Sequence, residues 1–429
     1  MANMAEKRYK TRIADKLLSE QLEAAGAVLV QGPKWCGKTT TAQQAASSSM
    51  YMDNPSTIKA NLILAETNPE MILEGDVPRL IDEWQLAPTL WDSARFLVSR
   101  RGEPGQFIFT GSAVPADLSA ITHSGTGRFA WLTMRTMSLQ ESEESSCSVS
   151  LEHLFSTGKA SGIAAEIDIS RLAFMLCRGG WPGTLQLSEK ASLLQATNYF
   201  EAVVNSDISR VDNTLRNAGF ARKLLRSYSR YQGAQVSLTK IADDILSGGS
   251  NNFSIDTLYD YVTALKKIFV IEDMEAWSPN LRSKTAIRTS DTRYFVDPSI
   301  ATAALGVGPG DLVKDLNTMG LIFETMAVRD LRVYADALGG KVYHYRDKNG
   351  LECDAVIHLR NGKYALVEVK LGGDSLIESG AKTLKALAAK IDTDQMDSPS
   401  FMMVLTGVGK YAYTREDGVV VVPIAALGA

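Results

Sequence analysis

Short apolar runs alternate with amphipathic stretches over the first third of the chain. Ala27-Val28-Leu29-Val30, Arg79-Leu80-Ile81 and Phe107-Ile108-Phe109 are too short for buried helices and are bounded by polar or glycine-containing segments. This pattern predicts buried strands of a parallel α/β sheet. The polar run at residues 141–148 is expected to end this section, taken as residues 1–150, and to leave the compact body.

Residues 151–228 read as a helical segment with one interruption at Gly179-Gly180-Trp181-Pro182-Gly183, because glycine and proline do not continue a helix. The simplest role of that interruption is to end a helix and pack Trp181 in the core. Residues 229–304 follow the order helix, helix, strand, strand. A first helix at 238–246 and a GGSNN loop lead to Ser254, an expected N-cap for a helix over Ile255–Lys267. Strands at 268–271 and around Tyr294-Phe295-Val296 complete a winged helix-turn-helix pattern. Asp297 before Pro298 reads as a further N-cap with proline in the first turn. Residues 305–429 read helix, three strands, helix, strand, strand.

A chain of 429 residues is expected to hold about three domains, each large enough to bury a core without disulfides or structural metal. Hydrophobic residues at 45% and charged residues at 22% are ordinary globular values and exclude a disordered or fibrous chain. The 45 Lys and Arg against 49 Asp and Glu give a net charge of −4, which excludes a uniformly basic nucleic-acid coat. The cysteines Cys36, Cys147, Cys177 and Cys353 form no CxxC pair, so neither a zinc site nor a disulfide framework is expected. The polar N-terminus and the lack of any apolar run near ~20 residues predict a soluble, cytoplasmic protein without membrane contact.

Residues Gly32-Pro33-Lys34-Trp35-Cys36-Gly37-Lys38-Thr39 fit the phosphate-loop pattern G-x-x-x-x-G-K-[ST] in full. An apolar strand enters the loop, and a helix beginning around Thr40 leaves it. Backbone N–H groups of such a loop wrap phosphates, and the helix N-terminus adds its partial positive charge. Lys38 would reach the β and γ phosphates, and Thr39 would place its hydroxyl on Mg²⁺. Hydrolysis also needs a carboxylate to position the metal and a group to orient water. Asp82 and Glu83, at the end of an apolar strand, are assigned those two roles. Thr110 or Ser112 is a candidate contact to the γ phosphate, and Arg128 a candidate for charge neutralisation, in cis or from a neighbouring subunit.

Carboxylates recur near the C-terminal end. Glu324 lies on an expected helix, Asp354 opens the strand at 355–357, and Glu368-Val369-Lys370 ends the strand at 364–367. This is the D…E-x-K pattern of metal-dependent nucleases, with Glu324, Asp354 and Glu368 as metal ligands and Lys370 beside the attacking water. Asn361-Gly362 signals a hairpin joining the two strands. A simple two-residue turn would set Asp354 and Glu368 on opposite faces. A three-residue loop with Gly362 in the left-handed region pairs Leu359 with Lys363 and sets Asp354 opposite Glu368. Only the second register collects Ala355, Ile357, Leu359, Ala365, Val367 and Val369 on one face, so it is the expected one.

The set GPKWCGKT, LIDEWQ, FIFTGSA and GR, followed by RGGWPG, DPS, FE and the terminal D…ExK, resembles a widespread group of prokaryotic AAA-type ATPases. They carry a C-terminal domain of uncharacterised function related to restriction endonucleases. The likeness runs from about residue 10 to about residue 410 and implies ATP as the nucleotide. It implies an α/β multidomain chain: an AAA-type P-loop ATPase, a helical and winged-helix middle, and a restriction-endonuclease-like end. Two functions are compatible with this sequence. One is an ATPase whose nuclease-like region acts on DNA; the other is a nucleotide-switched binding or regulatory protein with an inert nuclease fold. The basic run Arg216, Arg222, Lys223, Arg226 and Arg230 suits a domain contact or solvated face first and nucleic acid phosphates second, while Asp256 and Asp260 on the would-be recognition helix make protein packing as plausible as base reading. A protein partner or self-association is compatible with the sequence as well.

Overall fold

The computed structural model describes residues 9–112, 125–212, 214–247, 253–279, 290–394 and 396–429. These form two compact units, one running to Arg135 with Asp207–Leu215 and Lys267–Phe269, the other holding the rest.

The first unit is built on five parallel strands: β1 (Ala27–Gln31), β2 (Ser48–Tyr51), β3 (Arg79–Asp82), β4 (Phe107–Gly111) and β5 (Phe129–Thr133). Their order in the sheet is β2-β3-β4-β1-β5. The three runs singled out by apolar patterning are the three central strands. Leu29, Ile81, Phe107 and Phe109 pack on one side with Trp84 and Trp91. Val28, Val30, Leu80 and Ile108 pack on the other with Leu18 and Ala42. Burial on both faces is why these strands read as continuous apolar runs rather than alternating ones. The edge strands β2 and β5 are more polar or half-exposed, which hid them from patterning.

The second unit holds a two-stranded and a seven-stranded sheet, numbered onward as β6 (Val149–Ser150), β7 (Ser161–Ile163), β8 (Gly340–Arg346), β9 (Glu352–Leu359), β10 (Tyr364–Lys370), β11 (Met402–Thr406), β12 (Tyr411–Thr414), β13 (Val420–Pro423) and β14 (Leu427–Gly428). The larger sheet has the order β7-β12-β13-β11-β10-β9-β8, and β14 pairs with β6. Helices 238–247 and 255–267 precede two antiparallel bridges, Ile271 to Phe295 and Met274 to Thr292. No helix among the described residues is long and apolar enough to cross a membrane.

Two expectations are corrected here. Residues 141–148 do not leave the compact body. Glu141 is buried and accepts from the Ser138 amide at 2.9 Å, Glu144 accepts from Arg178 at 2.8 and 2.6 Å, and the Ser146 amide donates to the Ala425 carbonyl at 2.9 Å. Polarity signals solvation only when no buried partner answers it, and here the Arg178 and Ala425 partners are remote in sequence. The expected all-helical segment 151–228 also contains β7, whose three residues pair with β12 and are too few to show a period.

The RGGWPG and DPS segments meet in a buried network. Helix Ile169–Arg178 ends at Gly179, and Trp181 is buried with its indole N–H donating to Ser299 Oγ at 2.9 Å. Asp297 caps the next helix through the Ser299 amide at 3.0 Å. Its other oxygen accepts from Thr136 Oγ1 at 2.7 Å, the Gly180 amide at 2.9 Å and Arg329 Nη1 at 3.2 Å. The basic run is largely paired with nearby acids: Arg216 with Asp260 at 2.9 Å, Arg222 with Glu201 at 2.7 Å and Arg230 with Asp244 at 2.6 Å.

Candidate functional site

Strand β1 delivers the chain into the glycine-rich loop, and helix Lys38–Ala45 leaves from it. Gly32 has φ 152°, and a Cβ there would stand 2.0 Å from the Met134 carbonyl oxygen, so only glycine fits this close approach. Gly37, at φ 102°, turns the chain into the helix. Lys38 is buried, and its ammonium donates to the carbonyls of Gly32 at 3.0 Å and Pro33 at 2.8 Å, which centres it over the loop. Cys36 is buried; its carbonyl accepts from Arg12 Nη1 at 2.8 Å, and Arg12 Nη2 donates to the Arg135 carbonyl at 2.9 Å. Trp35 is exposed, and Lys34 reaches outward to Asp207 at 2.7 Å. Thr40 is exposed on the first turn of the helix.

Strand β3 ends at Asp82, which pairs in register with Thr110 on β4. Because β4 lies between β3 and β1, the Asp82 carboxylate faces the loop across one strand. Its Oδ1 accepts from Thr39 Oγ1 at 2.8 Å and from Thr110 Oγ1. Ser112 is buried just beyond β4. Glu83 comes next, in the left-handed conformation at φ 54° and ψ 41°, which turns its side chain out of the strand direction. Gln85 Nε2 donates to Glu83 Oε2. Burial pushes the Glu83 carboxyl above its usual range, opposed by the Gln85 hydrogen bond and reinforced by the charge of Asp82.

Arg128 departs from its expected role in cis. It precedes β5, whose first residue Phe129 pairs with Ala27 at the start of β1, whereas the phosphate loop comes after the end of β1. The five residues of β1 span roughly 16 Å. Arg128 instead donates to Ser99 Oγ at 2.5 Å, on the helix Thr89–Arg101. Patterning also overlooked Arg12, Gln85 and Asp207; only Gln85, two residues from Glu83, carried a local signal.

In the second unit, β9 and β10 adopt the bulged register. Tyr364 pairs with His358 and Val367 with Ala355, which brings Asp354 opposite Glu368. The Leu359 amide donates to the Lys363 carbonyl at 2.8 Å, and Gly362 has φ 88°. Lys370 Nζ lies 3.2 Å from Asp354 Oδ2 and 2.7 Å from Glu368 Oε2. Glu368 is 4% exposed, and its Oε1 has no hydrogen-bond partner. Burial, and then the charge of Asp354, pushes the Glu368 carboxyl up to about 7. Glu324, on helix Leu316–Ala337, accepts from Tyr294; burial and the Asp354 charge raise its pKa as well. The three carboxylates thus interact, but the described residues include no group of three His, Cys, Asp or Glu placed to hold a metal ion. The Lys370 ammonium stands between Asp354 and Glu368, two of the three residues expected to hold a metal.

The five-stranded parallel sheet with its phosphate loop and strand-end acid is a P-loop nucleotide-binding fold. Residues 24–143 match the model of an AAA domain. Residues 169–311 and 319–427 match two domains of unknown function, DUF8612 and DUF4143. No curated protein matches the chain. Among solved structures, a Walker-type ATPase of Pyrococcus abyssi aligns at 13% identity over 69% of this chain and 98% of its own, with a TM-score of 0.38. The Orc1 protein of Aeropyrum pernix in complex with DNA aligns at 12% identity over 74% and 97%, with a TM-score of 0.27.

Proposed function

We propose that the chain binds ATP with Mg²⁺ at residues 32–39 and hydrolyses it slowly, with the other domains driven or gated by turnover. The observation that carries this reading is the Asp82 carboxylate, shared by the Thr39 and Thr110 hydroxyls, with buried Glu83 beside it. Thr39 and Asp82 supply hard oxygen donors of the kind Mg²⁺ takes, and the ion would neutralise phosphate charge there. The loop amides and the Lys38 ammonium hold the phosphates. Glu83 accepts a proton from water as the water oxygen bonds to the γ phosphorus and the bond to the β-phosphate oxygen breaks, leaving ADP and phosphate. The test is calorimetric titration with ATP and Mg²⁺. Wild type binds, and Lys38→Ala, which loses a charge-assisted contact, binds at least tenfold more weakly; equal affinity in the two proteins overturns the assignment.

For the remainder, helices 238–247 and 255–267 with the two bridges after them support a winged-helix segment. The register that sets Asp354 opposite Glu368 supports a restriction-endonuclease-like region acting on DNA, with Glu368 and Lys370 as its reactive groups. One observation favours a second reading, an inert nuclease fold in a nucleotide-switched binding protein: Lys370 is bound to both carboxylates. Incubating the chain with single- and double-stranded DNA and RNA, with Mg²⁺ or Mn²⁺ and with or without ATP, separates the two. Cleavage abolished by Asp354→Asn establishes the first; no cleavage of any form establishes the second.

A further inference from the structure

Helix Glu189–Ala202 does not stop at Ala202. It widens into a π-helical turn, Val203–Asp207, and resumes as Ile208–Arg210. Such turns are rare and gather at functional positions, because the extra residue rotates the downstream side chains away from their α-helical directions. Val203 and Val204 are buried, and the turn closes on Asp207. The Asp207 side chain is only 11% exposed, and its Oδ1 stands 2.7 Å from the ammonium of Lys34. A carboxylate so little hydrated needs a partner, and the partner here is the third residue of the phosphate loop. Lys34 stands between Gly32 and Gly37, the two loop positions of greatest conformational freedom, so fixing it removes entropy that the loop would otherwise lose on closing around phosphates.

The geometry points to Asp207 as a positioning residue for the phosphate loop: through Lys34 it links nucleotide binding to the order of the helical turn that follows it, Ile208–Arg210. This rests on the ATP reading of the loop and adds to it a residue 173 positions away in sequence. The coupling is reciprocal. If the ordered turn favours the binding-competent loop, bound nucleotide favours the ordered turn by the same factor.

The experiment combines ATP titration with amide hydrogen exchange on the full chain. Asp207→Asn, which keeps the shape, raises the ATP Kd about two- to fivefold, the range set by a partly exposed ion pair, and changes kcat by less than twofold. Asp207→Glu and the charge swap Lys34→Asp with Asp207→Lys each recover most of the affinity, which a merely structural carboxylate would not allow. ATP slows exchange across residues 208–210 in wild type and not in Asp207→Asn. Without nucleotide, Lys34→Met speeds exchange in the same segment. Unchanged Kd in Asp207→Asn, no recovery in the swap, or unchanged exchange in Lys34→Met overturns the assignment. A wild-type chain that binds no ATP, yet whose exchange at 208–210 responds to Lys34→Met, overturns the ATP reading and leaves the Lys34–Asp207 tie standing.

Discussion

Replacing Glu83 with glutamine lowers ATP turnover by about 10²–10⁴-fold and leaves ATP affinity within about twofold of wild type. Glutamine keeps the size of the side chain but cannot accept the proton that leaves the attacking water. The structure sharpens this expectation in two respects. Glu83 is turned out of the strand by its left-handed backbone, whereas Asp82 is bound to Thr39 and Thr110. Gln85 holds one Glu83 oxygen and so orients the other. Phosphate release under single-turnover conditions measures the effect on the chemical step directly. Full activity in purified Glu83→Gln protein would place the water-orienting group elsewhere.

Asp297→Ala destabilises the second unit by about 3–5 kcal/mol, the cost of removing one member of a buried charge network. Asp297 is fully buried and accepts from Ser299, Thr136, Gly180 and Arg329. Without it, the Thr136 hydroxyl and Gly180 amide lose their acceptor, and the buried Arg329 keeps Asp330 at 2.7 Å as its remaining carboxylate. Urea unfolding followed by circular dichroism reads the loss as a lower midpoint of the transition. Combining Asp297→Ala with Arg329→Met costs less than the sum of the single changes, because the two groups share one network. An unchanged midpoint in Asp297→Ala would show that the network contributes no net stability. This network also gives RGGWPG and DPS a physical role that neither motif displays alone. Gly180, where a Cβ would stand 2.3 Å from the Met137 carbonyl oxygen, admits the 136–139 segment, and Asp297 binds it.

Features encoded over a few adjacent residues were legible in the sequence. The phosphate loop occupies eight contiguous positions whose residue types are set by backbone angles and phosphate chemistry, and it folds around Lys38 as that pattern implies. The central strands were legible because burial on both faces requires an unbroken apolar run. The β9–β10 register was legible because a one-residue slip would have moved Ala355, Ile357 and Val367 off their common face. Glu83 was legible as a strand-end acid, although its turned backbone was not.

What only the tertiary structure decided depends on topology or on remote partners. Arg128 read as a neutralising residue because glycine and arginine come after the β4 motif in sequence, but β5 runs parallel to β1 and begins level with its start, whereas the phosphate loop follows its end. The 141–148 segment read as solvated because its acceptors and donors, Arg178, Ala425 and Leu427, lie far along the chain. Lys34 gave no sign of Asp207, since an ion pair leaves no period in either segment. Likewise, Asp354, Glu368 and Lys370 were placed on one face by alternation, whereas the closing of the lysine onto both carboxylates is a matter of side-chain packing. Backbone chemistry and burial act on neighbours and repeat with the period of the element, so they leave a trace in sequence. The direction of a strand relative to a loop, and the partner of a lone charge, are settled only when distant segments close on one another.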